Sequence, residues 1–398
     1  MTTLNDVAPV STGPKRLRVL GLCFLVVLLD GLDTTSIAFV APVLAHDWGL
    51  PHAGFTPAFV ATSLGAALGY MLSGKLSARL GIRGASSLTI LLFGAGTLAT
   101  AAAWDIASLS VLRLVSAIGL GGVLPIAIAA AAAAFPARHK ETVTMIVASG
   151  LSAGGVAGGL IGGPLMRDFG WESVFVVGGV APLLVLPLFL NILPRAVPEP
   201  AQRRAGSVGA LFHGPLAMRT SLLWSFAFLI FLVAYTLVFW IPTLLVDLGF
   251  APQMAALGGA AFGMGGLIGN VVIMTLVGRV GINRLLMVST ALAMVLILIL
   301  NQMTIQSGLT FLLIGGLGAG LITGCVGQAA LAVSQYGGDL RITGVGWSSA
   351  IGRIGAIVGP AVGGMLLAMG YRAQEVIVTA LLPAAIAILI LVVIRVRR

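Results

Sequence analysis

Apolar residues in this chain neither alternate with polar ones nor form a one-sided helical stripe. They run on continuously for about 20 residues at a time, twelve times over, at 17–41, 54–74, 85–103, 108–134, 141–165, 173–193, 221–246, 254–278, 284–302, 307–333, 341–369 and 374–394. A helix that crosses the roughly 30 Å hydrocarbon core needs about 20 mostly apolar residues. Unbroken runs of this length exclude barrel strands, which alternate and are half as long. The pattern therefore predicts an all-α membrane protein of twelve transmembrane helices. Residues 1–16 read as a polar tail and 395–398 as another. The first span is expected to remain in the chain, because its apolar run is too long for a signal peptide and contains two aspartates.

Composition agrees. Of 398 residues, 59% are hydrophobic and 9% charged, against about 25% charged in soluble proteins. So few ions cannot cover a soluble surface, but they suffice for the loops of a membrane bundle. The two cysteines, Cys23 and Cys325, lie in apolar runs and define neither a disulfide framework nor a metal site.

The loops orient the chain. Of 22 Lys and Arg, 18 fall on one side of the predicted bundle, two (Arg167, Arg372) on the other, and two (Arg113, Arg353) inside spans. Basic loops stay in the cytoplasm, so both termini are expected there. The net charge of +10 is largely this bias. The basic residues are dispersed rather than gathered on one face with aromatics, so no nucleic-acid partner is expected.

The longest loop, 194–220, is rich in Pro, Gly and Arg and separates six spans (17–193) from six (221–394). It reads as a linker between two bundles. The halves match at an offset of 200: Pro42, Leu44, Asp47 and Gly49 recur as Pro242, Leu244, Asp247 and Gly249, and Arg79, Gly81 and Ile82 as Arg279, Gly281 and Ile282. Gly155, Gly159, Gly163 and Gly170 recur as Gly355, Gly359, Gly363 and Gly370. An even number of spans per repeat makes the repeats parallel, with the binding site between them. The glycine rows suit close helix packing.

Four ionisable residues lie within spans: Asp30, Asp33, Arg113 and Arg353. Such residues are costly and mark function by default. At about 1.5 Å of rise per residue, Asp30 and Asp33 lie roughly 20 and 24 Å from the cytoplasmic edge, and Arg113 about 8 Å from the opposite one. They share a depth, and an Asp–Arg113 pair is geometrically possible. Arg353 sits near the midplane, turned away from the Gly355 row, and is expected to face a central cavity with a fork suited to a carboxylate. The proton on a buried carboxylate is set by competition between desolvation and the neighbouring cation, so a gradient can switch it and release Arg113. The bland alternatives are a purely structural Asp–Arg113 pair and an Arg353 that only caps backbone carbonyls. Tyr235, Asn270, Gln328 and Trp347 are further candidates for lining the substrate path.

Other signals fail. Gly69 to Leu76 nearly matches a phosphate loop, but Leu76 stands where Ser or Thr is needed and no strand precedes it. No span carries a metal-ligand cluster or a nucleophile set, so neither an enzyme nor a cofactor is expected.

Several of these blocks resemble the major facilitator superfamily and, within it, the aromatic acid:proton symporters. They are Asp30-Gly31-Leu32-Asp33, then Arg113 followed by Gly119, Gly121, Gly122 and Pro125, and Arg341 through Trp347 and Arg353 to Pro360. The segment Gly74 to Arg83, with Arg79 and Gly81, resembles the superfamily's gating motif between spans 2 and 3, with Ala78 where that motif has Asp. The resemblance implies a monomeric transporter that imports a small aromatic carboxylate, such as a hydroxybenzoate, protocatechuate or a hydroxyphenylpropionate, together with protons. The alternatives are drug efflux on the same fold and an uncoupled channel or sensor.

Overall fold

A computed structural model describes residues 13–136, 139–192, 208–302, 308–336 and 340–396. The expected tail 1–12, the linker stretch 193–207, and Arg138, Arg195, Arg203, Arg204, Arg397 and Arg398 lie outside the described residues.

The described residues are helical, with no strands. The helices are α1 (Gly13–Asp47), α2 (Thr56–Thr100), α3 (Ile106–Ala134), α4 (Lys140–Phe169), α5 (Glu172–Ile192), α6 (Pro215–Asp247), α7 (Ala255–Val280), α8 (Ile282–Asn301), α9 (Gly308–Gln335), α10 (Leu340–Ala368), α11 (Ala373–Thr379) and α12 (Leu381–Val396). Helix α2, at 45 residues, is more than twice the length that crosses the core. It turns at Gly81 (φ 68°, ψ 170°) and so makes two crossings. Helices α11 and α12 share one crossing, because Pro383 has no N–H to give the carbonyl of Thr379. The chain crosses twelve times.

Two expectations shift. Residues 75–84 are helix broken at Gly81 rather than a loop, because a hydropathy run measures the thickness of the hydrocarbon and the helix continues beyond it. Helix α6 begins at Pro215, six residues before the apolar run that starts at 221. Pro is pre-shaped for a first helical position and Gly214, at φ 57°, makes the entry turn.

The duplication is visible in the backbone. Of seven glycines at positive φ, six form three pairs 200 residues apart: Gly49 and Gly249 (62°, 88°), Gly81 and Gly281 (68°, 85°), Gly170 and Gly370 (81°, 92°). Side chains rarely adopt this conformation, so the same turns recur at the same places in both repeats.

The cores show where the halves join. One cluster, from Val19 to Phe189, belongs wholly to the first half, and one, from Leu211 to Ile394, wholly to the second. A third mixes the two, packing Phe39, Phe55, Phe59 and Trp171 with Phe239, Trp240, Ala256 and Val376. Of these, Phe39 lies toward the end of α1, and Phe239 and Trp240 toward the end of α6, that is remote from the chain termini. There α4 and α7 touch backbone to backbone, since a Cβ on Gly159 would collide with Ala256 and Ala260, and a Cβ on Gly163 would meet the carbonyl of Gln253, in the turn just before α7, at 2.6 Å. The halves are closed together at the end opposite the termini.

Candidate functional site

Packing of α10 on α6 positions the first cation. A Cβ on Gly352 would meet the Phe231 ring at 2.9 Å, and those on Gly355 and Gly359 would run into the Phe228 and Leu232 carbonyls. With these glycines the helices lie in contact, and Arg353 Nη1 donates to the Tyr235 hydroxyl at 3.3 Å. From the other half, the Tyr70 ring lies against the guanidinium, 5.1 Å from its carbon to the ring centroid.

Helix α1 supplies the acids, and the structure separates them. Asp33 is fully buried against Arg113 of α3, whose side chain is also fully buried. Arg113 Nη1 donates to Asp33 Oδ1 at 3.1 Å, and Nη2 lies 3.0 Å from Oδ2. Nη2 also donates to the Asp33 carbonyl at 3.3 Å, and Nε to the Thr62 hydroxyl at 3.5 Å. The Phe175 ring lies 5.7 Å from the same guanidinium. Asp30 instead accepts from Thr34 at 3.1 Å and lines a small cavity of about 50 Å³. That cavity is walled by Asp30, Thr34, Thr62 and Ser63 of the first half and by Tyr235, Phe239 and Arg353 of the second. It is large enough for a few waters and polar enough to hold them.

The structure thus brings Asp30, Arg353 and Tyr235 to one cavity, and pairs Asp33 with Arg113 beside it. Gln328 is buried on α9, where its Nε2 donates to Ser349 at 3.2 Å and its Oε1 has no partner among the described residues. Asn270 is half-buried with its Oδ1 likewise unmatched. Neither lines this cavity. Trp347 stands apart: 43% exposed, it stacks on Trp224 at 5.9 Å beside Phe212. Six residues turn a helix by about 240°, so Trp347 and Arg353 cannot share a face. In the gating segment, Gly74 and Arg79 are exposed, Arg83 is half-buried and Gly81 is the buried turn. Among the described residues neither arginine is ion-paired. Four of these wall residues went unremarked in the sequence: Thr34, Thr62, Ser63 and Phe239. The helical spacing of Thr34 from Asp30 was the available clue. No group of His, Cys, Asp and Glu among the described residues is arranged to hold a metal.

A helical protein with two equivalent halves and a charged cavity between them, spanning the membrane many times, has the architecture of a secondary transporter. The chain belongs to the Major Facilitator Superfamily, whose sequence profile matches residues 23–337. It is 36% identical to the 3-(3-hydroxy-phenyl)propionate transporter of Escherichia coli K12, over 91% of this chain and 90% of that one. It is 33% identical to the 4-hydroxybenzoate transporter PcaK of Pseudomonas putida, over 93% and 90%, and 32% identical to that organism's gallate transporter, over 88% and 86%. Among solved structures, the D-xylose-proton symporter superposes with a TM-score of 0.76 at 15% identity, covering 95% of this chain and 97% of that one. A bacterial homolog of the human lysosomal transporter Spinster, inward-facing and occupied, gives 0.75 at 19%, covering 98% of both.

Proposed function

We propose that this chain imports a small aromatic carboxylate together with protons by alternating access, across a bacterial inner membrane with both termini in the cytoplasm. The observation that carries the reading is the cavity in which Arg353 and Asp30 face each other between aromatic walls. A guanidinium fork takes a carboxylate with two parallel hydrogen bonds. Tyr235 and Phe239 offer ring faces to an aromatic body. Asp30 supplies a carboxylate whose charge a proton removes. Residues 17–193 and 221–394 act as the two rocking halves, 194–220 tethers them, and the Gly74–Arg83 segment gates the terminal end. Asn270 and Gln328 serve as hydrogen-bonding groups along the exit path, and Asp33 with Arg113 carries the response to Asp30 into the first half.

Relatives named for hydroxybenzoate, gallate and hydroxyphenylpropionate support the substrate class. The 18-to-2 distribution of basic loop residues supports the orientation. The test is uptake of labelled 4-hydroxybenzoate, gallate and 3-(3-hydroxyphenyl)propionate into proteoliposomes under an imposed pH gradient. Import of one of them that collapses with a protonophore is expected. Flux that ignores the gradient would replace the symporter by a channel, and proton-driven export would replace it by an efflux pump.

A further inference from the structure

A guanidinium presents two faces and an edge of five N–H donors. In this protein the guanidinium carbon of Arg353 lies over the Tyr70 ring, 5.1 Å from the centroid, and one edge donor is taken by the Tyr235 hydroxyl at 3.3 Å. The remaining edge donors are left to the cavity that Arg353 shares with Asp30. The two holds come from different halves: Tyr70 is on α2, whereas Tyr235 and Arg353 are on α6 and α10. The Tyr70 hydroxyl makes no hydrogen bond among the described residues, so the ring face is what meets the cation. Position 270, the repeat equivalent of 70, is Asn. The first half alone carries this ring.

We propose that Tyr70 is a positioning residue for anion recognition: its ring braces the Arg353 guanidinium across the interface between the halves, so that the fork is aimed at the bound carboxylate while this part of the interface is closed. An arginine side chain has several rotatable bonds, and holding it in one geometry is costly when nothing fixes it beforehand. A ring on one face and a hydroxyl on one edge fix the plane without occupying the donors that a carboxylate needs. Because the brace belongs to the opposite half, parting the halves at this depth frees the fork and weakens the grip on the anion. Affinity is thereby tied to the position of the halves. A substrate without an anionic group gains nothing from the brace, so Tyr70 also contributes to selectivity for acids.

The inference rests on the reading of Arg353 as the anion's partner, and the experiment separates the two. Full-length protein is purified as wild type, Tyr70→Phe, Tyr70→Leu, Arg353→Met and the double variant Tyr70→Leu/Arg353→Met. Melting temperatures without ligand form a double-mutant cycle, which isolates the pairwise contact. Non-additivity is expected, with the double variant more stable than the sum of the single losses, and strict additivity overturns the brace. Equilibrium binding of 4-hydroxybenzoate follows. Tyr70→Phe is expected to bind within about twofold of wild type and Tyr70→Leu about 3- to 30-fold more weakly, the range of a partly desolvated cation–π contact. Equal affinity of Leu and wild type, or a Phe variant as weak as Leu, overturns the positioning role. If wild type binds none of the three aromatic acids while the cycle stays non-additive, the aromatic-acid reading falls and the cycle still supports the brace.

Discussion

Arg113 holds Asp33 through three contacts: Nη1 on Oδ1 at 3.1 Å, Nη2 close to Oδ2 at 3.0 Å, and Nη2 again on the Asp33 carbonyl at 3.3 Å. The two residues are 80 positions apart and both are fully buried. The pair therefore staples α1 to α3 inside the first half. Asp30, one turn earlier, faces the other half. The two acids that the sequence presents as one motif have different neighbours.

Removing one member of a buried pair leaves an uncompensated charge, at a cost of about 3–5 kcal/mol. Replacing both by apolar groups is far milder. Arg113→Leu is accordingly expected to lose most of its folded yield in the membrane, whereas Asp33→Leu/Arg113→Leu recovers much of it. The measurement is the monodisperse fraction and melting temperature of each variant after purification. A double variant as depleted as Arg113→Leu would mean that the pair matters for more than charge compensation.

Asp30 shares its cavity with Arg353 and accepts a hydrogen bond from the Thr34 hydroxyl. An amide retains that contact and carries no charge at any pH. Asp30→Asn is expected to fold normally and to exchange external for internal labelled acid. It should fail to accumulate the acid against a gradient, and its exchange rate should lose the pH dependence of the wild type. Accumulation in Asp30→Asn at the wild-type level would take Asp30 out of the coupling step.

Much of this was legible beforehand. The offset of 200 read from Arg79, Gly81 and Ile82 reappears as matched left-handed turns at Gly81 and Gly281, because a turn that only glycine tolerates leaves its mark in both sequence and backbone. The intramembrane ions stood out because the surrounding spans hold so few. What a single helix cannot reveal is which neighbour covers each sector. Asp30 and Asp33 differ by about 60° around α1, enough to place one toward α3 and the other toward the interface. Nothing along the sequence connects Tyr70 to its cation, which lies 283 residues away on the other half.

The fork of Arg353 can be tested without removing its charge. Lysine offers a point charge and no planar edge. It cannot reach both the Tyr235 hydroxyl and a carboxylate in the same geometry. Arg353→Lys is expected to bind 4-hydroxybenzoate about tenfold more weakly, roughly the worth of one charge-assisted hydrogen bond. Titration calorimetry on purified protein gives the comparison, and equal affinity would leave the anion's partner elsewhere.

The closed end offers a test of alternating access itself. Glycines along α4 serve two purposes. Gly150 and Gly154 face α1 within their own half, where added Cβ atoms would meet Phe24 and Leu28. Gly159 faces the other half, where an added Cβ would collide with backbone atoms of Ala256 and Ala260 on α7. A methyl group at 159 therefore disfavours this particular closure and leaves the first half's own packing intact. Overpacking costs about 1–3 kcal/mol, which shifts a two-state population by roughly 5- to 150-fold. Gly159→Ala is expected to move the ensemble toward a form open at the end opposite the termini. Gly259→Ala, where an added Cβ meets nothing within 4 Å, should not. Spin labels at the exposed positions Phe169 and Met369, one on each half, would report a longer distance distribution in the first variant alone. An unchanged distribution in Gly159→Ala would mean that the α4–α7 contact does not set which end is closed.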